Sequence, residues 1–353
     1  MSYIWVSDLH VKPASYYRKT LLTGDSFYAI DQIQKFALEK EVSSLIIGGD
    51  TYDTNAPSGE ATNRIAEFIR VLMENGTTVH YIEGNHDRVH KNPYLPNEFY
   101  AEHRLLSSLG AMPLDGAATL IDGVIFRGID YCKRDKLLAR LEGLGKCDVL
   151  CLHAGFRHML GFEGAFELTK DDIPDTVGKM VLVGHIHVNN SSSTANDVMI
   201  HSSGSTWVWR IDEADKDHGF LYFEDNPFQP EYISLDTRKY FDITCEQDIL
   251  DTLEEDHKLP PVLRYTRESM PDLNSDKYPG VKLIPISADA DVEDVLDTME
   301  EPSADLKDAL VVGVPASEFP KEHSFLLGLL ESPDPEEYVQ QQLVDAGALM
   351  KHK

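Results

Sequence analysis

Val79-His80-Tyr81-Ile82-Glu83-Gly84-Asn85-His86-Asp87 runs from apolar and β-branched residues straight into a glycine and three polar side chains. The first half reads as a buried strand and the second as the loop at its end. A strand held on both sides is rigid, so the loop that follows can aim a side chain with little slack. A neutral amide beside a free imidazole is a rare demand for a turn alone. Asn85 and His86 therefore mark a place where chemistry is done.

The same design recurs along the chain. Leu45-Ile46-Ile47-Gly48-Gly49 delivers Asp50, Val149-Leu150-Cys151-Leu152 delivers His153, and Met180-Val181-Leu182-Val183-Gly184 delivers His185 and His187. The first strand candidate, Ser2 to Val6, leads to Asp8-Leu9-His10. Residues two apart on an extended segment point the same way, so a carboxylate and an imidazole, or two imidazoles, reach one point together. Each fragment alone is ordinary: Asp8 or Asp50 could cap a turn, and a lone histidine at a strand end is usually a satisfied polar residue. The ordered set of carboxylate, amide and imidazole donors is the signal, and it reads as a site for two divalent ions.

Between these strands lie helical patterns. Phe27 to Leu38 places Ile30, Ile33, Phe36 and Ala37 on one face, and Ala61 to Met73 is a second amphipathic stretch closed by Asn75-Gly76. With Ser44 to Ile47 and Thr77 to Ile82 as strands, the rhythm is β-α-β. Later strand candidates are Ala118 to Ile121, Val124 to Arg127, Val149 to Leu152, Met180 to Val183, Val198 to His201, Thr206 to Arg210, Phe220 to Phe223 and Tyr232 to Leu235. They are short and turn-bounded, as in a mixed or antiparallel sheet. The expected fold is an α/β sandwich of two facing sheets flanked by helices over residues 1–236, followed by a small α+β appendage over 237–353. In that appendage Ser332-Pro333-Asp334-Pro335-Glu336-Glu337 reads as a helix start with acids near the positive end of the dipole.

Composition bounds the function. No apolar run approaches the roughly 20 residues that span a bilayer, and the first residues carry no basic region ahead of an apolar stretch. Cys132, Cys147, Cys151 and Cys245 form no paired framework, so a reducing cytoplasm is expected. The net charge of −28 opposes a nucleic-acid ligand. Residues 241–353 hold 26 acidic and 9 basic side chains, against 34 and 23 in residues 1–240. Much of the excess thus lies outside the candidate catalytic region, where some carboxylates would also face cations.

Over residues 1 to about 235 the chain resembles the calcineurin-like metallophosphoesterases. Gly49-Asp50-Thr51-Tyr52-Asp53 with Pro57-Ser58, Ser203-Gly204-Ser205-Thr206-Trp207, and His218-Gly219-Phe220 narrow the likeness to the nuclease subunit of the SbcCD type, including those of T-even-like phages. The resemblance implies that Asp8, His10 and His187 hold one ion, that Asn85, His153 and His185 hold the other, and that Asp50 bridges both. It implies a proton-donating or charge-stabilising role for His86, manganese as the metal, DNA as the substrate, an SMC-like ATPase of the SbcC type as partner, and a homodimer. Asp53 is expected to accept a hydrogen bond from a ligand imidazole. Arg88, His90 and Lys91 lie just past the catalytic loop, within reach of a DNA backbone, although taken singly they read as solvated surface. Trp207 and Trp209 are expected to pack rather than stack on a base. Two other readings are a phosphoesterase for phosphoproteins or small nucleotides, and a scaffold that keeps the site only to dock an ATPase.

Overall fold

The computed structural model describes residues 2–17, 20–87, 105–159, 168–266, 269–270, 273 and 277–286. In chain order these form β1 (Tyr3–Val6), a hairpin of β2 (Ala14–Tyr17) and β3 (Thr20–Thr23), α1 (Asp25–Glu39), β4 (Ser44–Gly48), α2 (Gly59–Glu74) and β5 (Thr78–Ile82). There follow α3 (Leu105–Ser108), β6 (Met112–Pro113), β7 (Thr119–Ile121), β8 (Val124–Ile129), α4 (Arg134–Glu142), β9 (Cys147–His153), β10 (Val177–Gly184), β11 (Asn189–Ser193) and β12 (Met199–Ser203). Last come β13 (Gly219–Phe223), β14 (Glu231–Ser234), β15 (Tyr240–Asp242), α5 (Glu246–Glu254), β16 (Val262–Thr266) and β17 (Lys282–Ile286).

Two six-stranded mixed sheets carry the fold. The first has the order β14-β13-β1-β4-β5-β6, with β1, β4 and β5 parallel, and the second the order β11-β12-β10-β9-β8-β7, with β8, β9, β10 and β12 parallel. The two-residue period of a strand sorts β1: Tyr3 and Trp5 join the cluster that also holds Phe126, Val149, Met180 and Leu182 of the second sheet, while Ile4 and Val6 face α1 and α2. Both faces of the central strands are thus buried, which is why they read as continuous apolar runs. The second sheet covers its outer face with α4 through Leu137 and Leu141. The layers are helix, sheet, sheet, helix, as expected from the sequence.

The helix α2 shows how local signals set these layers. The Ser58 hydroxyl caps its start by accepting from the Ala61 N–H at 3.2 Å, and Gly76 at φ 90° follows its end. Ile65, Phe68, Ile69 and Leu72 repeat at helical spacing and are fully buried against the first sheet. Truncation of Phe68 to alanine would cost about 3–5 kcal/mol.

The three-stranded sheet β15-β16-β17 is parallel and packs α5 against a small core of Ile243, Ile249, Leu263, Met270 and Val281. Arg238 ties this region to the start of α1. Its guanidinium meets the Asp25 carboxylate at 2.7 and 2.9 Å and also donates to the carbonyls of Pro260 and Thr23. Compactness divides the chain into 1–288 and 289–353. The second unit, with the expected terminal helix, lies outside the described residues. So do Arg88, His90 and Lys91.

One expected strand is absent. Thr206 to Arg210 makes no ladder, because its backbone groups are spent locally: the Trp209 and Arg210 N–H groups donate to Glu213 Oε2 at 3.2 and 3.4 Å, and the Ser205 hydroxyl donates to the Trp207 carbonyl. The hairpin β2-β3 and the polar edge strand β11 carry no apolar alternation and form without a sequence signal. Among the described residues no helix is long and apolar enough to cross a membrane.

Candidate metal centre

The carboxyl ends of the parallel strands of both sheets point to one place. Asp8, Asp50 and Asn85 follow β1, β4 and β5; His153 ends β9 and His185 follows β10. Open parallel sheets present such ends as a natural crevice. Three loops must come close together there, and glycine makes it feasible. A side chain at Gly49 would enter the His153 ring, and one at Gly84 would collide with the Asp50 carboxylate. Asp8, His10, Asp50 and His185 adopt left-handed backbone conformations, with φ of 54°, 40°, 50° and 78°. Such conformations are uncommon outside glycine and cost on the order of 1–3 kcal/mol each.

The donors converge in overlapping groups. Asp8, His10 and His187 form one, Asp50, His153 and His185 another, and His10, Asp50 and His86 a third, with the donor atoms of each within 4.8 Å of one another. Asp50 belongs to both ends: its Oδ2 lies 3.2 Å from His153 Nε2 and 3.7 Å from His10 Nε2. The Asn85 Oδ1 lies 3.1 Å from His153 Nε2 and 2.9 Å from His185 Nδ1. His10 Nε2 and His187 Nε2 face each other at 3.2 Å. Asp8 and His10 are fully buried, whereas Asn85, His86, His185 and His187 are only partly covered. The floor of the site is buried and its rim is open.

Several imidazoles have their tautomer fixed by a neighbour. A carbonyl only accepts, so the 2.8 Å contact from His153 Nδ1 to the Gly48 oxygen requires Nδ1 to donate and points Nε2 into the cage. His187 Nδ1 donates to Glu213 Oε1 at 2.7 Å with the same result. His86 Nδ1 donates to the backbone carbonyl of Asp53 at 2.7 Å. The Asp8 carboxylate accepts the His185 N–H at 3.0 and 3.1 Å, and Asp50 Oδ1 accepts the His86 N–H at 2.8 Å.

Electrostatics favour cations here. Burial pushes both carboxyls up, yet the hydrogen bond from His187 and the nearby imidazoles hold Asp8 below its usual range, and His153 with His86 brings Asp50 down to about 2. Burial likewise opposes charge on the histidines, yet Asp50 lifts His153 to about 9, and Asp8 with Glu213 lifts His187 to about 10. His185 falls to about 4 through burial and the His153 charge. A cage of nitrogen and oxygen donors that stabilises positive charge, with the Nε2 atoms of His10 and His187 3.2 Å apart, fits a pair of divalent ions.

The other carboxylates around the site have different partners. Asp53 Oδ1 stands 3.9 Å from His10 Nδ1, beyond hydrogen-bond range. It accepts instead from Trp209 Nε1 at 2.5 Å and pairs with Lys12 at 3.1 Å. The carboxylate that holds a site imidazole is Glu213, which no local pattern in the sequence announces. Asp87, at the end of the loop after β5, is structural: buried, it accepts from the Thr51, Tyr52 and Gly84 N–H groups and clamps the loop after β4 to the loop after β5. Burial and the Asp50 charge raise its pKa against those bonds. Trp207 is buried and donates to the Leu9 carbonyl at 2.8 Å.

The calcineurin-like phosphoesterase pattern matches residues 1–215, more than half of the chain. The chain belongs to the calcineurin-like phosphoesterase family. Within that family the phosphoesterase is similar to the DNA double-strand break repair protein Mre11 of Sulfurisphaera tokodaii, at 25% identity over 79% of this chain and 72% of that one. It is 22% identical to Mre11 of Archaeoglobus fulgidus, over 72% of this chain and 64% of that one. The SbcD component of the SbcCD nuclease of Staphylococcus epidermidis is 23% identical, over 74% of this chain and 77% of that one. The phosphoesterase thus spans part of the length of each of these relatives.

Proposed function

We propose that this phosphoesterase is a two-metal DNA nuclease subunit that hydrolyses phosphodiester bonds during end processing and recombination. The observation that supports it most is the convergence of seven donor side chains from both sheets on one crevice, in a chain similar to proteins named for double-strand break repair. Asp8, His10 and His187 would hold one ion, Asn85, His153 and His185 the other, and Asp50 would bridge them. Two divalent ions would neutralise the non-bridging phosphate oxygens and lower the pKa of the attacking water. The donor set contains no thiolate, which suits manganese, iron or zinc, and manganese is the proposed metal.

The chain's own residues supply the rest. His86 has Nδ1 committed to the Asp53 carbonyl, so Nε2 is the atom that exchanges a proton, and in the protonated ring it donates to the leaving oxygen. His86 is only partly buried, at the rim of the site. Glu213 and the Gly48 carbonyl orient His187 and His153. Arg88, His90 and Lys91 are proposed backbone contacts for DNA.

The test is purified protein with manganese, offered linear duplex DNA and, separately, para-nitrophenyl phosphate. Nucleotide products from DNA are expected. Hydrolysis of the monoester alone would shift the reading to phosphoproteins or small nucleotides. The partner is proposed to be an SMC-like ATPase of the SbcC type, and the active form a homodimer. Deletion of residues 325–353 is expected to leave metal binding intact and abolish co-purification with that ATPase; unchanged co-purification refutes the assignment.

A further inference from the structure

We infer that Trp209 is a positioning residue for proton transfer: acting through Asp53, it fixes the orientation of His86. The inference rests on the nuclease reading above for its catalytic meaning, and on geometry alone for its structural content. Trp209 is a half-buried ring at the centre of the site's histidines. Its indole stacks on His10 at 4.5 Å and 16°, and meets the edges of His187 at 5.1 Å and His86 at 5.7 Å. One face is covered by His10, so the ring does not lie open to a nucleobase on that side.

The hydrogen bonds give this contact a direction. The indole N–H donates to Asp53 Oδ1, an oxygen that also receives the Lys12 ammonium at 3.1 Å. Lys12 in turn lies 5.6 Å from the Trp207 ring centroid and 5.8 Å from that of Trp209. Asp53 sits in a bend just past the isolated bridge of Tyr52 with Val11, outside any helix or strand. Its side chain is the anchor, and its carbonyl is the group that receives His86 Nδ1–H at 2.7 Å. An anchored peptide enforces one tautomer, with Nδ1 protonated and Nε2 free to carry the transferable proton. Trp209 is itself held by its backbone N–H on Glu213, whose other oxygen holds His187. One residue thus registers the proton donor against an imidazole of the cage.

The test uses W209F, which keeps an aromatic ring and deletes the indole N–H, and D53A, which removes the anchor and leaves Trp209. Each is assayed with manganese on duplex DNA, whose alkoxide leaving group needs a proton, and on bis(4-nitrophenyl) phosphate, whose nitrophenolate does not. We expect a loss of about 10²-fold on DNA but less than about threefold on the activated diester, a split shared with H86A. Equal losses on both substrates, or no loss on either, overturn the inference. A second measurement is independent of turnover: ¹⁵N-histidine spectra of the metal-free protein should show His86 as the Nδ1–H tautomer in the parent and as a mixture in both variants. An unmoved tautomer overturns the inference. A parent protein inactive on both substrates would defeat the nuclease reading, while the spectra still decide the role of Trp209.

Discussion

His153 and His187 both turn Nε2 into the cage by committing Nδ1 elsewhere, but they are tied by different kinds of partner. His153 is held by the carbonyl of Gly48, a backbone group at the end of a central strand. His187 is held by Glu213, a side chain on a short 3₁₀ turn that follows an irregular segment. The half of the centre around His153 is therefore part of the sheet, and substitution of a single side chain cannot remove its support. The half around His187 is assembled from side chains, including Trp209 and Glu213, and each can be exchanged separately. Rigidity and tunability are split between two sites a few ångströms apart.

The largest effect is expected where the halves meet. Asp50→Asn removes the carboxylate shared by both, and the several kcal/mol of charge stabilisation that a metal pair supplies translate to about 10³-fold in cleavage rate. Calorimetric titration with manganese should show the two-ion stoichiometry lost; two ions bound with parental affinity would mean that Asp50 does not bridge. Next, His86→Ala should slow DNA cleavage by about 10²–10⁴-fold with both ions retained, and a parental rate would rule out proton donation by this ring. Glu213→Gln should weaken the ion held by His187 by about 10–100-fold and leave the other unchanged. Equal weakening of both ions in that titration would erase the contrast between the halves. The smallest effect is on the scaffold: Asp87→Asn confronts three N–H donors with an amide and should lower unfolding free energy by about 1–3 kcal/mol, read from denaturant melts.

The sequence is informative about one half of this contrast and nearly silent on the other. Runs such as Leu45 to Gly49 and Met180 to Gly184 are buried on both faces, so composition alone marks them as central strands, and the residue after each is the candidate ligand. The helices α1 and α2 are legible from spacing, with Ser58 setting the true start of α2 two residues before the expected one. Glu213, and the Trp209 partner of Asp53, are not legible because the pairs are distant in sequence, 26 residues apart for Glu213 and His187 and 156 for Asp53 and Trp209. Alternating aromatic residues make Thr206 to Arg210 look like a strand. The Glu213 carboxylate, three and four residues further on, accepts from the Arg210 and Trp209 N–H groups and holds the backbone out of that form.

The arrangement of β1 bears on how the protein is made. This first strand pairs on one side with β4 and on the other with β13, Tyr3 lying opposite Phe223. On the ribosome, β1 waits with one edge open until β13 has been synthesised. The imidazoles of the second sheet arrive only after residue 152, and the glutamate that steadies the last of them at 213. A nascent chain or a prematurely terminated product therefore carries the acidic residues of the first sheet without the groups that complete the centre. Hydrolytic competence is withheld until translation has passed the point at which the sandwich closes.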